Sequence, residues 1–151
     1  MLKEGIFQTA HHVCIIVRDI EKSIAYYESI GVGPWGSFPP LDVFKDIDVP
    51  DPSGFLNLTY RYANLANIQI QLCQPGDGAT PQRKFLETHG EGVFHIGFKV
   101  ADVDQAESEA NALGLRTKMR GRLPGGGFTY FDTADKGAGV ILEIRSMDDV
   151  S

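Results

Sequence analysis

Four polar residues occupy strand-like segments that are otherwise apolar. His12 heads Val13-Cys14-Ile15-Ile16-Val17, and His95 heads Ile96-Gly97-Phe98-Lys99-Val100. Gln71 stands between Ile70 and Leu72, and Glu143 between Leu142 and Ile144. Successive strand side chains point to opposite faces, so phase decides which of them meet. Val13, Ile15 and Val17 form one face, leaving His12 and Cys14 on the other. Ile96, Phe98 and Val100 likewise leave His95 opposite. His11 falls in phase with the valines, which selects His12 of the two. If the four strands are neighbours, His12, Gln71, His95 and Glu143 converge on one surface. Two imidazoles, an amide oxygen and a carboxylate suit one borderline divalent ion per chain, Zn, Ni, Co or Mn. With a single anionic ligand, the ion keeps positive charge for polarising a carbonyl. A rival zinc set of His12, Cys14, Cys73 and His95 shares the same face. Taken singly, each residue also reads as an ordinary hydrogen-bonded or solvated strand side chain. Their symmetric placement is what argues for a site.

The elements that must position them come in two copies. His12 through Glu21 aligns with His95 through Asp104, each with a histidine first, then Val17 or Val100, then Asp19 or Asp102. Asp19 caps a helix with the apolar stripe Ile20, Ile24, Tyr27, ending at Gly31. Asp102 caps one with Val103, Ala106, Ala110 and Leu113, ending at Gly114, with Gln105 at the capping-box position. Three strand-like runs follow each helix, at 33–38, 55–63 and 67–73, then at 115–123, 127–132 and 139–145. The pattern predicts an α+β chain in which two pseudo-symmetric βαβββ modules form a cupped mixed β-sheet with helices outside. Module one covers about 9–75, a linking helix about 80–89 and module two about 93–146, in a single domain over 1–151. The surplus length of module one lies in a proline-rich loop from Pro39 to Pro52. Such a loop either shapes substrate access or is a tolerated surface insertion. Gly125-Gly126-Gly127 reads as a hairpin turn.

Composition narrows the partners. The 151 residues carry 20 acidic and 14 basic side chains, a net charge of −6 that disfavours nucleic acid and membrane surfaces. The longest apolar run, Val13 to Val17, is far too short for a membrane span. Met1-Leu2-Lys3-Glu4-Gly5 lacks the apolar stretch of a signal peptide, so the expected location is cytoplasmic. Two cysteines make no disulfide framework, and no nucleophile elbow, phosphate loop or dinucleotide fingerprint is present. One segment is basic: Arg116, Lys118, Arg120 and Arg122 alternate with Leu115, Thr117 and Met119. With the apolar face under a helix, Arg120 and Arg122 would reach the cup and bind a carboxylate or CoA phosphates. The other reading is a charged edge strand that deters aggregation.

Four segments in order carry a family likeness: His12 to Ser23, Gln71-Leu72-Cys73-Gln74-Pro75, Phe85 to Ile96, and Lys136 to Glu143. They resemble the vicinal oxygen chelate superfamily of glyoxalases, epimerases, extradiol dioxygenases and antibiotic-resistance binding proteins. The likeness covers roughly residues 9–146. Within it the chain looks most like methylmalonyl-CoA epimerases. The linking helix before Gly90, the Lys136-Gly137-Ala138-Gly139 approach and glutamine as second ligand carry that likeness. The resemblance implies a divalent metal on His12, Gln71, His95 and Glu143, a homodimer, and proton abstraction next to a carbonyl through a metal-bound enolate. Glu143 would both ligate and move protons. No epimerase-type second carboxylate aligns in the insert, where Asp46 and Asp48 are available and Asp48 is the expected second proton-transfer group. Gly33-Pro34-Trp35 is also not an epimerase hallmark. Three alternatives come with the superfamily. One is a glyoxalase I-type lactoylglutathione lyase, and another a metal-free binding or resistance protein. The third is an extradiol dioxygenase using Fe or Mn on His12, His95 and Glu143. The implied ligand is a small molecule, an acyl-CoA or a carboxylate.

Overall fold

A computed structural model describes residues 5–147. The Met1–Glu4 start, read above as lacking an apolar leader, lies outside the described residues. The chain runs β1 (Ala10–Ile16), α1 (Ile20–Ser29), β2 (Gly36–Ser37), a 3-10 turn (Leu41–Val43), β3 (Asp46–Asp48) and α2 (Pro52–Leu56). It continues through β4 (Thr59–Asn64), β5 (Gln69–Gln74), α3 (Pro81–Thr88), β6 (Gly92–Lys99) and α4 (Val103–Ala112). It closes with β7 (Thr117–Leu123), β8 (Gly126–Phe131) and β9 (Ile141–Ser146). No helix among the described residues is long and apolar enough to cross a membrane.

The two long helices start and stop by the same devices. The Asp19 carboxylate accepts from Lys22 N, and the Asp102 carboxylate from Asp104 N and Gln105 N. Each satisfies backbone donors that the first turn leaves without a partner. Gly31 and Gly114 then end the helices with φ of 93° and 92°, a left-handed turn that glycine adopts without steric cost. The buried stripes differ slightly from expectation. Ile20, Ile24 and Tyr27 pack with Leu72, and Val103, Ala106 and Ala110 with Phe131 and Ile144. Leu113 is left out: it caps the end of α4 and is 74% exposed.

The sheet is open and mixed, in the order β2-β4-β5-β1-β6-β9-β8-β7-β3. Within it β5 is parallel to β1 and β9 to β6, while β1 and β6 meet antiparallel at the centre. That is the pseudo-symmetry the sequence repeat predicts. One face packs under α1 and α4. The other encloses a second core that includes Cys14, Ile16, Phe94 and Phe128. Each large side chain buried fully there contributes about 1.5–3 kcal/mol.

The proline-rich insert is more structured than a loop. Asp51 accepts from Gly54 N and Pro52 follows at the first helical position, so 52–56 is helix and strand β4 begins only at Thr59. The run expected at 33–38 shortens to the two residues of β2. β3, an unexpected strand, pairs with β7 of the other module. Residues 38–45 therefore join one edge of the sheet to the other. Nine strands laid flat would be about 38 Å across, whereas such a connection spans at most about 30 Å. The sheet has to curl, and the connection straps its open side. The hairpin between β7 and β8 turns at Pro124-Gly125, with Gly126 and Gly127 inside β8.

Candidate metal centre

Across the central ladder, His12 faces Gly97 and Cys14 faces His95. The flanking parallel strands set Gln71 opposite Cys14 and Glu143 opposite Gly97. Four strands from two modules thus deliver the four residues to the floor of the cup. His12, His95 and Glu143 are buried. His12 Nε2 stands 2.9 Å from His95 Nε2 and 3.1 Å from Glu143 Oε1, and His95 Nε2 is 3.9 Å from Glu143 Oε2. Donors that share one ion at bonds of about 2.1 Å stand about 3.0–3.4 Å apart for octahedral to tetrahedral angles. The buried Glu143 Oε1 accepts no hydrogen bond. A cation at this point would satisfy it. The two His12 separations, the donor chemistry and the orphaned oxygen fit a divalent ion.

The protonation states suit the same role. Burial drives the His95 imidazole down to about 3, against the pull of Glu143, so the ring is in the neutral form that ligation requires. Burial raises the Glu143 carboxyl, and His95 and Arg145 offset part of that. Gln71 lines the cavity above the centre. Its Nε2 donates to Gln69 Oε1 at 2.7 Å, and Gln69 Nε2 donates to Asn64 Oδ1 at 3.1 Å. This relay commits the Gln71 nitrogen and orients its oxygen. Cys14 and Cys73 are free thiols that burial holds protonated, Cys73 at about 12. They pack in the apolar core and stand outside the His12, His95, Glu143 grouping.

Two β-bulges correct the reading of His11. The β1–β6 register slips between Ala10 and His12, and slips again where Phe94 is passed over between Val93 and His95. A bulge lets two consecutive side chains lie on one side of a strand. His11 Nδ1 thereby reaches His12 Nδ1 at 2.8 Å, and the Phe94 and His95 ring centroids lie 5.7 Å apart. Each module places a ring against its histidine by the same distortion. His11 is not a core residue with the valines: it orients His12, with Arg145 Nη1 3.5 Å from the same His11 nitrogen.

Two further expectations are overturned. Asp48 is exposed on β3, and Ile47 is the strand's residue that packs into the cup. Alternation turns Asp48 the other way, out of the cup and away from Glu143. Arg120 and Arg122 face α4 rather than the cup. Arg122 Nε and Nη2 donate to Asp104 Oδ1 at 2.9 Å and Glu107 Oε2 at 2.6 Å, and Arg120 Nε donates to Glu107 Oε2 at 3.1 Å. Arg116 and Lys118 pair with Asp132. A register slip between Thr117 and Met119 reverses the phase: Leu115 packs toward α4 and Met119 into the cup.

Strand phase also left three polar residues unnoticed. The Tyr130 ring lies 4.7 Å from that of His95, and the residue pairs with Glu143 across the β8–β9 ladder. Tyr130 Oη is 3.4 Å from Tyr60 Oη, which accepts from Gln82 Nε2 at 3.1 Å. Burial pushes both phenols well above 10, so they stay protonated donors. The available signal was Tyr130 sharing phase with Phe128 on a strand beside Glu143.

The sequence profile of the glyoxalase/bleomycin resistance protein/dioxygenase superfamily matches residues 11–131. No curated protein sequence matches the chain. Among solved structures, methylmalonyl-CoA epimerase from Mycobacterium tuberculosis superposes with a TM-score of 0.71 at 21% identity, covering 99% of this chain and 94% of that one. A Streptomyces coelicolor methylmalonyl-CoA epimerase variant in complex with 2-nitronate-propionyl-CoA gives 0.68 at 20% identity, over 95% and 99%. Identities this low establish a shared fold. The profile match and the paired-module sheet together show that the chain belongs to the glyoxalase/bleomycin resistance protein/dioxygenase superfamily.

Proposed function

We propose that this protein is a divalent-metal-dependent isomerase that moves a proton at a carbon next to a carbonyl, in the manner of an epimerase. The observation that carries the reading is the convergence of His12 Nε2, His95 Nε2 and a buried, orphaned Glu143 oxygen. A divalent ion held there, with Gln71 beside it, supplies Lewis acidity toward a carbonyl oxygen. Glu143 is the only carboxylate among the described residues that line the cavity. Burial raises its proton affinity, which suits it to take the carbon-bound proton. Tyr130 stands opposite that carboxylate on the neighbouring strand, and burial keeps its phenol protonated. A single carboxylate returns the proton on the face it left, which shifts it to a neighbouring carbon. Inversion needs a donor on the other face, and Tyr60, the remaining hydroxyl of the described lining, is the candidate. The acyl-CoA bound to the Streptomyces relative supports a thioester or similar carbonyl compound as substrate. The same reading takes the protein as a cytoplasmic homodimer.

The test is proton exchange in D2O. Metal-loaded protein is incubated with candidate carbonyl compounds, methylmalonyl-CoA among them, and deuterium at the carbon next to the carbonyl is followed by NMR. Incorporation by the wild type and not by Glu143→Gln is expected; incorporation by both would contradict the role of Glu143. A second reading, a ring-cleaving dioxygenase, draws support from a donor set of two histidines and one carboxylate. Oxygen uptake with catechols in the Fe(II)-loaded protein separates it.

A further inference from the structure

The space above the centre is walled by carbon. The cavity is about 310 Å³, with His12, Gln71 and Glu143 at its floor and Phe44, Phe55 and Phe128 among its sides. The Phe44 and Phe128 rings meet edge to face at 5.0 Å, and Phe55 stacks on Phe128 at 5.9 Å. Gly121 makes room for that cluster, since a Cβ there would lie 2.6 Å from Phe128 Cε1. The 38–45 strap supplies Phe38, Pro39, Leu41 and Val43 to the same cavity. Arg145 is the only cation among the described lining residues, and it already reaches toward His11. Arg120 and Arg122, which sequence phase offered for anionic groups, are committed to Asp104 and Glu107 on the opposite face.

Size and polarity therefore constrain the ligand together. A cavity of about 150 Å³ lined by apolar side chains accepts benzene. The space here is about twice that, so it holds a ring and a short substituent. A carboxylate or phosphate pushed among these rings would lose its hydration without a partner. We propose that the substrate carries an uncharged apolar body of about one aromatic ring, seated against Phe44, Phe55 and Phe128 under the strap, with two adjacent oxygens at its polar end. The placement of the oxygens rests on the metal-centre reading; the seat for the body does not.

The test has two arms on the full chain. In the first, benzyl alcohol is titrated into metal-free protein and amide NMR shifts are followed. Shifts that cluster at Phe44, Leu123 and Phe128 are expected, and no shift there at millimolar concentration would overturn the apolar seat whatever the metal does. In the second, benzohydroxamate and acetohydroxamate, two chelators that differ only in body, are titrated calorimetrically into Zn-loaded protein. The aryl probe is expected to bind about tenfold tighter or more. Phe44→Ala should remove most of that ratio and leave acetohydroxamate unchanged. Equal affinities, or tighter binding of the succinate monohydroxamate with its charged body, would overturn the inference and leave the metal centre standing. Failure of both hydroxamates, with benzyl alcohol still shifting the named amides, would sink the metal reading and uphold the seat.

Discussion

Gly97 lies directly beneath the His12 ring: the two residues pair across the β1–β6 ladder, and any Cβ at Gly97 would overlap the imidazole. The absence of a side chain on one module creates the space for His12 of the other. Gly97→Ala should therefore push His12 out of line. We expect metal affinity to fall about 10–100-fold, with a stability loss of about 1–3 kcal/mol. Calorimetric Zn titration and urea unfolding read the two effects. An alanine variant that binds metal as the wild type does would show that His12 is not held by this contact.

His11 and His12 should separate cleanly by degree. His12→Ala removes a donor and should abolish binding. His11→Ala removes only the group at 2.8 Å from His12 Nδ1, and should weaken binding about 10–100-fold. Mass spectrometry of metal retained after dialysis checks both. An empty His11→Ala protein beside an occupied His12→Ala protein would reverse the assignment.

Glu143→Gln should cost turnover far more than stability. The substitution keeps shape while removing the one carboxylate of the described lining, proposed as ligand and proton acceptor, so proton exchange should fall about 100-fold or more. The thermal midpoint should move by only a few degrees. Undiminished exchange would place the base elsewhere.

The ion-pair network under α4 makes a prediction about pH. Burial alone would raise the Glu107 carboxyl, but Thr129, Arg120 and Arg122 outweigh it and hold it below the usual carboxylate range. A carboxylate with a depressed folded-state value adds stability that is full above its unfolded value, near pH 4.3. That stability is lost as pH falls through the lower folded value. Glu107→Gln should cost about 1 kcal/mol at pH 7, because Arg122 is left buried with one acid fewer while Asp104 and solvent screen part of the loss. Measured by urea unfolding, the deficit should shrink steadily below pH 4. A deficit that does not change down to the acid limit would mean the loss is one of packing alone.

How much was legible before the structure follows from where alternation holds. The runs after His12 and His95 and the strands of Gln71 and Glu143 alternate as expected, and the repeat pairs them, so the fold and the convergence of these four residues can be read. Phase fails where the backbone slips by one residue. The bulges at His11 and Phe94 and the slip between Thr117 and Met119 leave no mark in composition, and they misplace His11, Arg120 and Arg122. A counter-signal existed: Asp104 and Glu107 lie three apart on α4 and offer anionic partners on the helix side. Asp51-Pro52 likewise marked a helix start that a strand at 55–63 ignored. The strap across the cup was out of reach, because a three-residue strand pairing with the opposite module has no local pattern.

The central claim is that one ion sits among His12, His95 and Glu143. Anomalous diffraction at the zinc edge, on crystals soaked in Zn, tests it most directly. The account predicts one strong peak per chain within bonding distance of His12 Nε2, His95 Nε2 and a Glu143 oxygen. A peak elsewhere, or none at these three atoms under saturating Zn, would contradict it.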